Sequence, residues 1–374
     1  MLGRIAISRE ALRANARTLR DFCAPAGAGF VVKANAYGHG IIETALAIEG
    51  LTSRFCVYSA DEAVTLRDNG ITKPILVMGP VPHDALEDVY AANAAVALWD
   101  TRRYLRALID IGRKRHGRFP VHVKVNTGLN RLGLNPGDAA DAMEDYLRMP
   151  ELSIEGIFSH LAAAEELDSP YTLQQLATFE SALAPIDGML ASRVRPVRHL
   201  AASAAAMLWP QTRLDMVRIG IALYGLWPSA GTRTALDASG IELVPALAFR
   251  APLVGTHELT TGEAVGYGTT FHAPRPMRLG VVPVGYADGV PRLLSNRGSF
   301  LVDGKRCAIV GRIAMNTTVI DLTAVPGARP GTTVTLLGSD GEATAGADQW
   351  ADWAETINYE IVARLPEHIE REYV

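Results

Sequence analysis

The chain has 374 residues, 48% of them hydrophobic and 20% charged, with a formal net charge of −4. That length is generous for one core and suits two domains, one of them a large barrel. The near-neutral balance argues against a surface built for nucleic acid or anionic membranes, and so ordinary a composition belongs to a globular chain rather than a disordered or fibrous one.

Read from the N-terminus, "MLGRIAISREALRANARTLR" is charged at helical spacing and lacks the apolar stretch of a secretory signal. No later run of about 18–20 apolar residues offers a membrane span. Cys23, Cys56 and Cys307 are sparse, form no CxxC and share no zinc-like spacing with histidine. The expectation is a cytoplasmic protein with no metal, membrane or nucleic-acid partner. The basic run "RKRHGR" (113–118) closes a predicted helix, where positive charge suits the negative end of the dipole.

Up to about residue 228, short apolar runs alternate with longer amphipathic ones. The predicted strands are 30–35, 55–59, 75–79, 95–100, 121–126, 154–160, 197–202 and 217–225. Helical patterns lie between them, among them 60–70, 101–117 and 171–190. Ser59 and Glu62 make a capping box for the first of these, and Asn69-Gly70 makes its stop. Strands recurring with helix-sized connections imply parallel crossovers, and eight of them imply a closed (β/α)8 barrel rather than an open doubly wound sheet. An open sheet would carry a Gly-rich turn after its first strand. Here "GAG" (27–29) precedes the predicted strand, so no dinucleotide fingerprint is present. Beyond "GLWPSAG" (225–231) the runs become short, Val- and Thr-rich and broken by Gly, Pro and Asp-Gly, which predicts a mostly-β domain. One or two helices in 347–365 close it, and the expected division is 1–230 and 231–374.

Chemistry in such a barrel sits at the C-terminal ends of the strands. Those ends collect Lys33 with Asn35 and Tyr37, Lys124 followed by Arg131, Ser159-His160, His199 running to Ser203, and Arg218 followed by Gly220. Singly, Lys33 reads as a snorkelling lysine, His160 as a core histidine and Arg218 as a structural ion-pair partner. Together they form a cationic rim with few acids, suited to an anion such as a phosphate. A lysine nucleophile beside a phosphate site suggests pyridoxal phosphate bound to Lys33; a phosphosugar isomerase and a Schiff-base aldolase stay open at this level.

Several long motifs then carry a family likeness. "VVKANAYGHG", "VKVNTGLNRLG", "SHLAAAE", "HLAASAAA", "MVRIGIALYG", "VGYGTTF", "VGYADGVPR", "VGRIAMNTTVIDL" and "INYE" follow one another over essentially the whole chain. The sequence resembles alanine racemase, a fold-type III pyridoxal-phosphate enzyme family. The resemblance implies a barrel followed by a β domain, about the first eight residues forming a strand that joins the second domain, and a homodimer with shared active sites. Lys33 would carry pyridoxal 5'-phosphate; Tyr37, Tyr359, Ser203 and the backbone of Gly220 and Ile221 would bind its phosphate. Arg131 would reach cofactor and substrate carboxylate, Met315 would offer its N–H to that carboxylate, and His160 would lie against the pyridine ring. His199 would support Arg218, and Lys124, often carbamylated in the family, would orient Arg131. Glu165, with Tyr286, Arg292 and Arg312 of the other subunit, would line the access passage.

By the same resemblance the reaction is interconversion of L- and D-alanine, supplying D-alanine for peptidoglycan, with Lys33 as base on the D face and the other subunit's Tyr267 on the L face. Two bases are the simplest way to serve two faces of one carbon, and groups with ordinary values near 10 need cations nearby to act at neutral pH. Arg218 opposite the ring nitrogen disfavours aminotransferase or decarboxylase chemistry, since a guanidinium has no proton to yield. The alternatives are a racemase of larger or broader amino acids, a fold-sharing decarboxylase and a non-catalytic cofactor carrier. Five positions depart from the usual pattern: Asn126 for aspartate, Ala202 for asparagine, Ala314 for a small polar residue or cysteine, Asn316 for aspartate, and Glu165 for aspartate.

Overall fold

The computed structural model describes residues 2–99, 102–190 and 195–374. Strand β1 (Arg4–Ile7) leads into helix α1 (Arg9–Cys23). Among the described residues eight parallel strands then close a barrel: β2 (Gly27–Val31), β3 (Arg54–Val57), β4 (Ile75–Val77), β5 (Ala94–Leu98), β6 (Phe119–Lys124), β7 (Leu152–Phe158), β8 (Val197–Ala202) and β9 (Met216–Ile219). Closure comes where β9 pairs with β2, Gly29 opposite Arg218. Strands buried on both faces have to read as unbroken apolar runs, and β4 (ILV) and β5 (AAVAL) do. Between β3 and β4, the helix Ala60–Asp68 opens on the capping box of Ser59 and Glu62 and stops at Asn69, with Gly70 at φ +85°.

Local boundaries differ from the expected ones for identifiable reasons. The first barrel strand begins at Gly27 and ends at Val31, so "GAG" lies inside it. A Cβ on Gly29 would come within 3.1 Å of the Val217 carbonyl, and the seam with β9 therefore needs a thin residue there. The last strand ends at Ile219, and residues Ile221–Tyr224 coil into a tight helical turn. Asp100 and Thr101, at the end of one expected strand and the start of the next expected helix, lie outside the described residues.

The chain forms two compact units. Leu12–Ala36 with Ile41–Val244 makes the barrel unit, which includes the helix Ala230–Leu236. The chain through Ala11, Tyr37–Gly40 and Pro245–Val374 makes the other. In that second unit β1 runs antiparallel to Leu247–Pro252 and parallel to Arg371–Tyr373, within a seven-stranded sheet. A three-stranded sheet and a two-stranded ribbon complete its β structure, and the helices Ala347–Ala354 and Asn358–Ala363 follow. Phe30, Phe55, Phe119 and Phe179 fill the barrel unit, while Phe249, Phe300 and Trp350 fill the second. Among the described residues no helix is long and apolar enough to cross a membrane.

Candidate active site

Lys33 stands just beyond the end of β2, where the chain leaves the sheet in an uncommon conformation. Ala34, Asn35 and Ala36 hold φ values of 52°, 51° and 53°, a left-handed turn built from residues that all carry a Cβ. Asn35 accepts the Ile41 N–H through its side-chain oxygen at 2.8 Å, and the Ala36 N–H returns to the Val32 carbonyl at 2.9 Å. The turn sends the half-buried Lys33 side chain off the strand end. Burial and then the charge of Arg131 hold its amine below the ordinary lysine value, while Glu62 acts the other way.

Arg218, on β9, is buried. Its guanidinium donates to the carbonyls of Ser159 and Leu200 at 2.8 and 2.9 Å, to His199 Nδ1 at 2.8 Å and to His160 Nδ1 at 3.2 Å. An arginine can only donate, so both imidazole Nδ1 atoms must accept. His199 then carries its proton on Nε2 and gives it to His122 Nδ1 at 2.7 Å. His122 in turn carries its own proton on Nε2, a buried atom with no hydrogen-bond partner among the described residues. Burial, reinforced by Arg218 among the nearby cations, lowers His160 to about 3 and holds His122 and His199 well below the ordinary histidine value. All three rings are therefore neutral at physiological pH. Phe158 underlies the group: its ring stacks on His199 at 4.8 Å, with Lys124 Nζ and Arg218 Cζ 5.5 and 5.4 Å from its centroid.

Lys124 ends β6 and is buried. Burial first, then Arg131 and Arg218, push its amine down to about 8. The following loop is shaped by Asn126, whose side-chain oxygen accepts the N–H groups of Gly128 and Asn130 at 3.2 and 2.9 Å. Tyr171 and Gln175 tie the same loop to the helix Tyr171–Met189. Arg131 emerges from it exposed. Just past the ends of β8 and β9, Ser203 Oγ accepts the Gly220 N–H at 2.9 Å, and Ile221 follows, fully buried. One unit thus gathers Lys33, Lys124, Arg131 and Arg218 around a neutral His160, with Ser203 and the Gly220 backbone beyond those two strand ends.

The second unit assembles its own set. Tyr267 is 73% exposed on a turn between Gly266 and Gly268. A Cβ on Gly268 would come 2.7 Å from the Arg312 guanidinium, so that arginine lies beside the tyrosine's turn. The Tyr286 and Ala287 N–H groups bond the carbonyls of Ala314 and Met315 at 3.0 and 2.9 Å. Gly285 permits this approach, since a Cβ would sit 2.2 Å from the Ala314 oxygen. Tyr286, Met315, Arg292 and Arg312 are all exposed. Tyr37 and Tyr359 meet in the same unit with ring centroids 6.2 Å apart. Glu165 belongs to the barrel unit and is exposed beyond β7.

The alanine racemase N-terminal domain family matches residues 7–228, and the corresponding C-terminal domain family matches residues 246–373. The chain belongs to the alanine racemase family. An alanine racemase of Desulfosudis oleivorans is 40% identical over 355 residues, covering 91% of this chain and 88% of its own. The crystal structure of alanine racemase from D-cycloserine-producing Streptomyces lavendulae superposes with a TM-score of 0.94 at 32% identity, covering 100% of this chain and 97% of its own. That of Bartonella henselae, which carries covalently bound pyridoxal phosphate, gives 0.87 at 28% identity over 100% of both chains. The family is one of isomerases, and the barrel followed by a β domain is its architecture.

Within the barrel His122 escaped the sequence reading, and Ser159, which that reading named at a strand end, acts in a way it did not foresee. His122 extends the Arg218–His199 chain, and its period-two spacing from Lys124 on β6 put it on the inward face. Ser159 contributes through its backbone, which no side-chain pattern reports. Among the described residues no cluster of three potential metal ligands occurs.

Proposed function

We propose that this chain interconverts L- and D-alanine with pyridoxal 5'-phosphate held on Lys33, in the cytoplasm and as a homodimer, supplying D-alanine for peptidoglycan. The donor set fits that cofactor. Four cations and neutral histidines suit an anionic phosphate and phenolic oxygen, and burial and Arg131 lower the Lys33 amine, which favours the neutral form that imine linkage needs. Ser203 and the backbone N–H groups of Gly220 and Ile221 would take the phosphate, a role that family likeness also gives Tyr37 and Tyr359. Bound there, pyridoxal phosphate supplies a conjugated electron-withdrawing ring that acidifies the Cα–H bond.

The residues do the rest. Arg131 and the Met315 N–H fix the substrate carboxylate. Lys33 Nζ removes or returns the Cα proton on the D face, and the partner subunit's Tyr267 Oη does so on the L face. Arg218 carries the choice of reaction: a carboxylate in its place would protonate the ring nitrogen and favour transamination, whereas a guanidinium bonded to neutral partners offers a hydrogen bond and keeps its proton. The test is Cα proton–deuterium exchange with each alanine enantiomer in heavy water with added pyridoxal phosphate, wild type beside Tyr267→Phe. Exchange with inversion of both enantiomers in wild type, and loss mainly from L-alanine in the variant, is expected. Equal loss from both enantiomers, or none, removes the two-base assignment.

A further inference from the structure

Lys33 is aimed by a turn that its own residues disfavour. A Cβ crowds the following carbonyl in the left-handed region, and Ala34, Asn35 and Ala36 occupy it in succession. Such a segment persists only where its surroundings over-determine it. What holds its first amide is a side chain from the next βα unit. Glu62 Oε1 accepts the Ala34 N–H at 2.6 Å, while Glu62 Oε2 accepts the N–H groups of Tyr58 and Ser59 at 2.7 and 3.2 Å. We propose that Glu62 is a positioning residue for Lys33, its carboxylate bridging the ends of β2 and β3 and fixing the left-handed turn from which the lysine projects. The inference rests on the reading of Lys33 as the cofactor-bearing base.

Three features separate this from ordinary helix capping. A capping-box glutamate returns to the N-cap amide alone, and here that is the longest of the three contacts. The 2.6 Å contact goes to a residue twenty-eight positions earlier, the one bonded directly to Lys33. Only an ionised carboxylate accepts on both sides, because a glutamine would turn an NH2 group toward one set of N–H donors. Glu62 is also an anion near enough to act on the Lys33 amine, opposing burial and Arg131, which outweigh it.

The experiment compares Glu62→Gln, Glu62→Asp and Ser59→Ala with wild type in the full chain. Borohydride trapping and peptide mapping report the rate and extent of pyridoxyl attachment at Lys33, and Cα exchange reports kcat and KM for both enantiomers. Glu62→Gln, and Glu62→Asp whose shorter arm cannot span both strand ends, should slow attachment and lower kcat about ten-fold or more, with KM moved far less. Ser59→Ala removes the cap hydroxyl but not the bridge, and should stay within about two-fold on both readouts. Attachment and kcat unchanged in Glu62→Gln would overturn the assignment. Should that variant misfold, amide exchange in wild type decides: the Ala34 N–H must be protected as strand amides are, and free exchange overturns the bridge. Wild type that traps no pyridoxyl group on Lys33 is a different result, for it defeats the cofactor reading itself.

Discussion

Gly156 faces His122 across the β6–β7 ladder, and a methyl group there would lie 2.1 Å from the imidazole Nδ1 and 2.4 Å from Cε1. Gly156→Ala therefore forces the ring to move. It has little freedom to do so: His122 is fully buried, its Nδ1 holds the His199 proton at 2.7 Å, and the two rings meet edge to face at 4.9 Å. Overpacking of this kind costs about 1–3 kcal/mol. Breaking the imidazole pair strands the His199 N–H in the interior, for about 1–3 kcal/mol more. Against these stands a gain of about 0.4–1 kcal/mol from a stiffer unfolded chain, because the position is ordinary strand. The balance is a loss of about 1–6 kcal/mol. The assay is a double-mutant cycle in urea unfolding with Gly156→Ala, His122→Ala and the pair. Removing the ring vacates the space the methyl needs, so the double variant should be more stable than the sum of single losses by at least about 1 kcal/mol. Losses that add to within about 0.5 kcal/mol would refute the steric argument.

Two further outcomes follow from charge. Lys124, pushed down to about 8, gives up its proton in the folded chain before the unfolded chain does, so its penalty is complete below that pH and fades as pH rises toward 10.5. Lys124→Met should raise the urea midpoint at pH 7, with the gap to wild type closing between about pH 8 and 10; a constant gap would contradict the assignment. In the second unit Asn316 donates its amide to both oxygens of the buried Asp288, at 3.5 and 3.3 Å. Asn316→Asp sets two carboxylates together, and should cost about 1–3 kcal/mol at pH 7 and less in acid, measured by the same unfolding assay.

The barrel was legible because its strands are buried on both faces and must be written in Val, Ile, Leu and Ala, a pattern that survives without knowing any contact. Strand ends were less legible. The run "FVVKAN" reads as one extended segment, yet β2 stops at Val31, and nothing in Ala34 or Ala36 announces a left-handed turn. Its cause lies elsewhere, in a glutamate whose local pattern is fully accounted for as a cap. The inward histidine pair was half visible: His199 stood in a family motif, while His122 sat unremarked between two valines. What no local pattern carries is the hydrogen-bond direction across the barrel, which depends on β6, β8 and β9 being brought together.

Direction is what gives the barrel its electrostatic character. Burial pushes the Arg218 guanidinium down to about 10, which leaves it charged at neutral pH, and its four acceptors among the described residues are uncharged: two carbonyls and two imidazoles. A buried cation without a counterion costs several kcal/mol, and a carboxylate at His199 would relieve that cost while cancelling the field. The imidazole cannot cancel it. Were His199 to take a second proton, its Nδ1–H would point at the guanidinium N–H it now accepts, so Arg218 fixes the neutral tautomer of His199, and His199 fixes that of His122. The orphaned Nε2–H of His122 is the far end of this chain, where the mismatch is moved away from the ligand side. Arg218 thus keeps its hydrogen bonds and its full charge together at the strand bordering β2, the strand whose end bears Lys33. The barrel thus sustains a positive field against a chemically fixed set of neutral acceptors, and under the proposed function that field would suit a ring that draws electrons without being protonated.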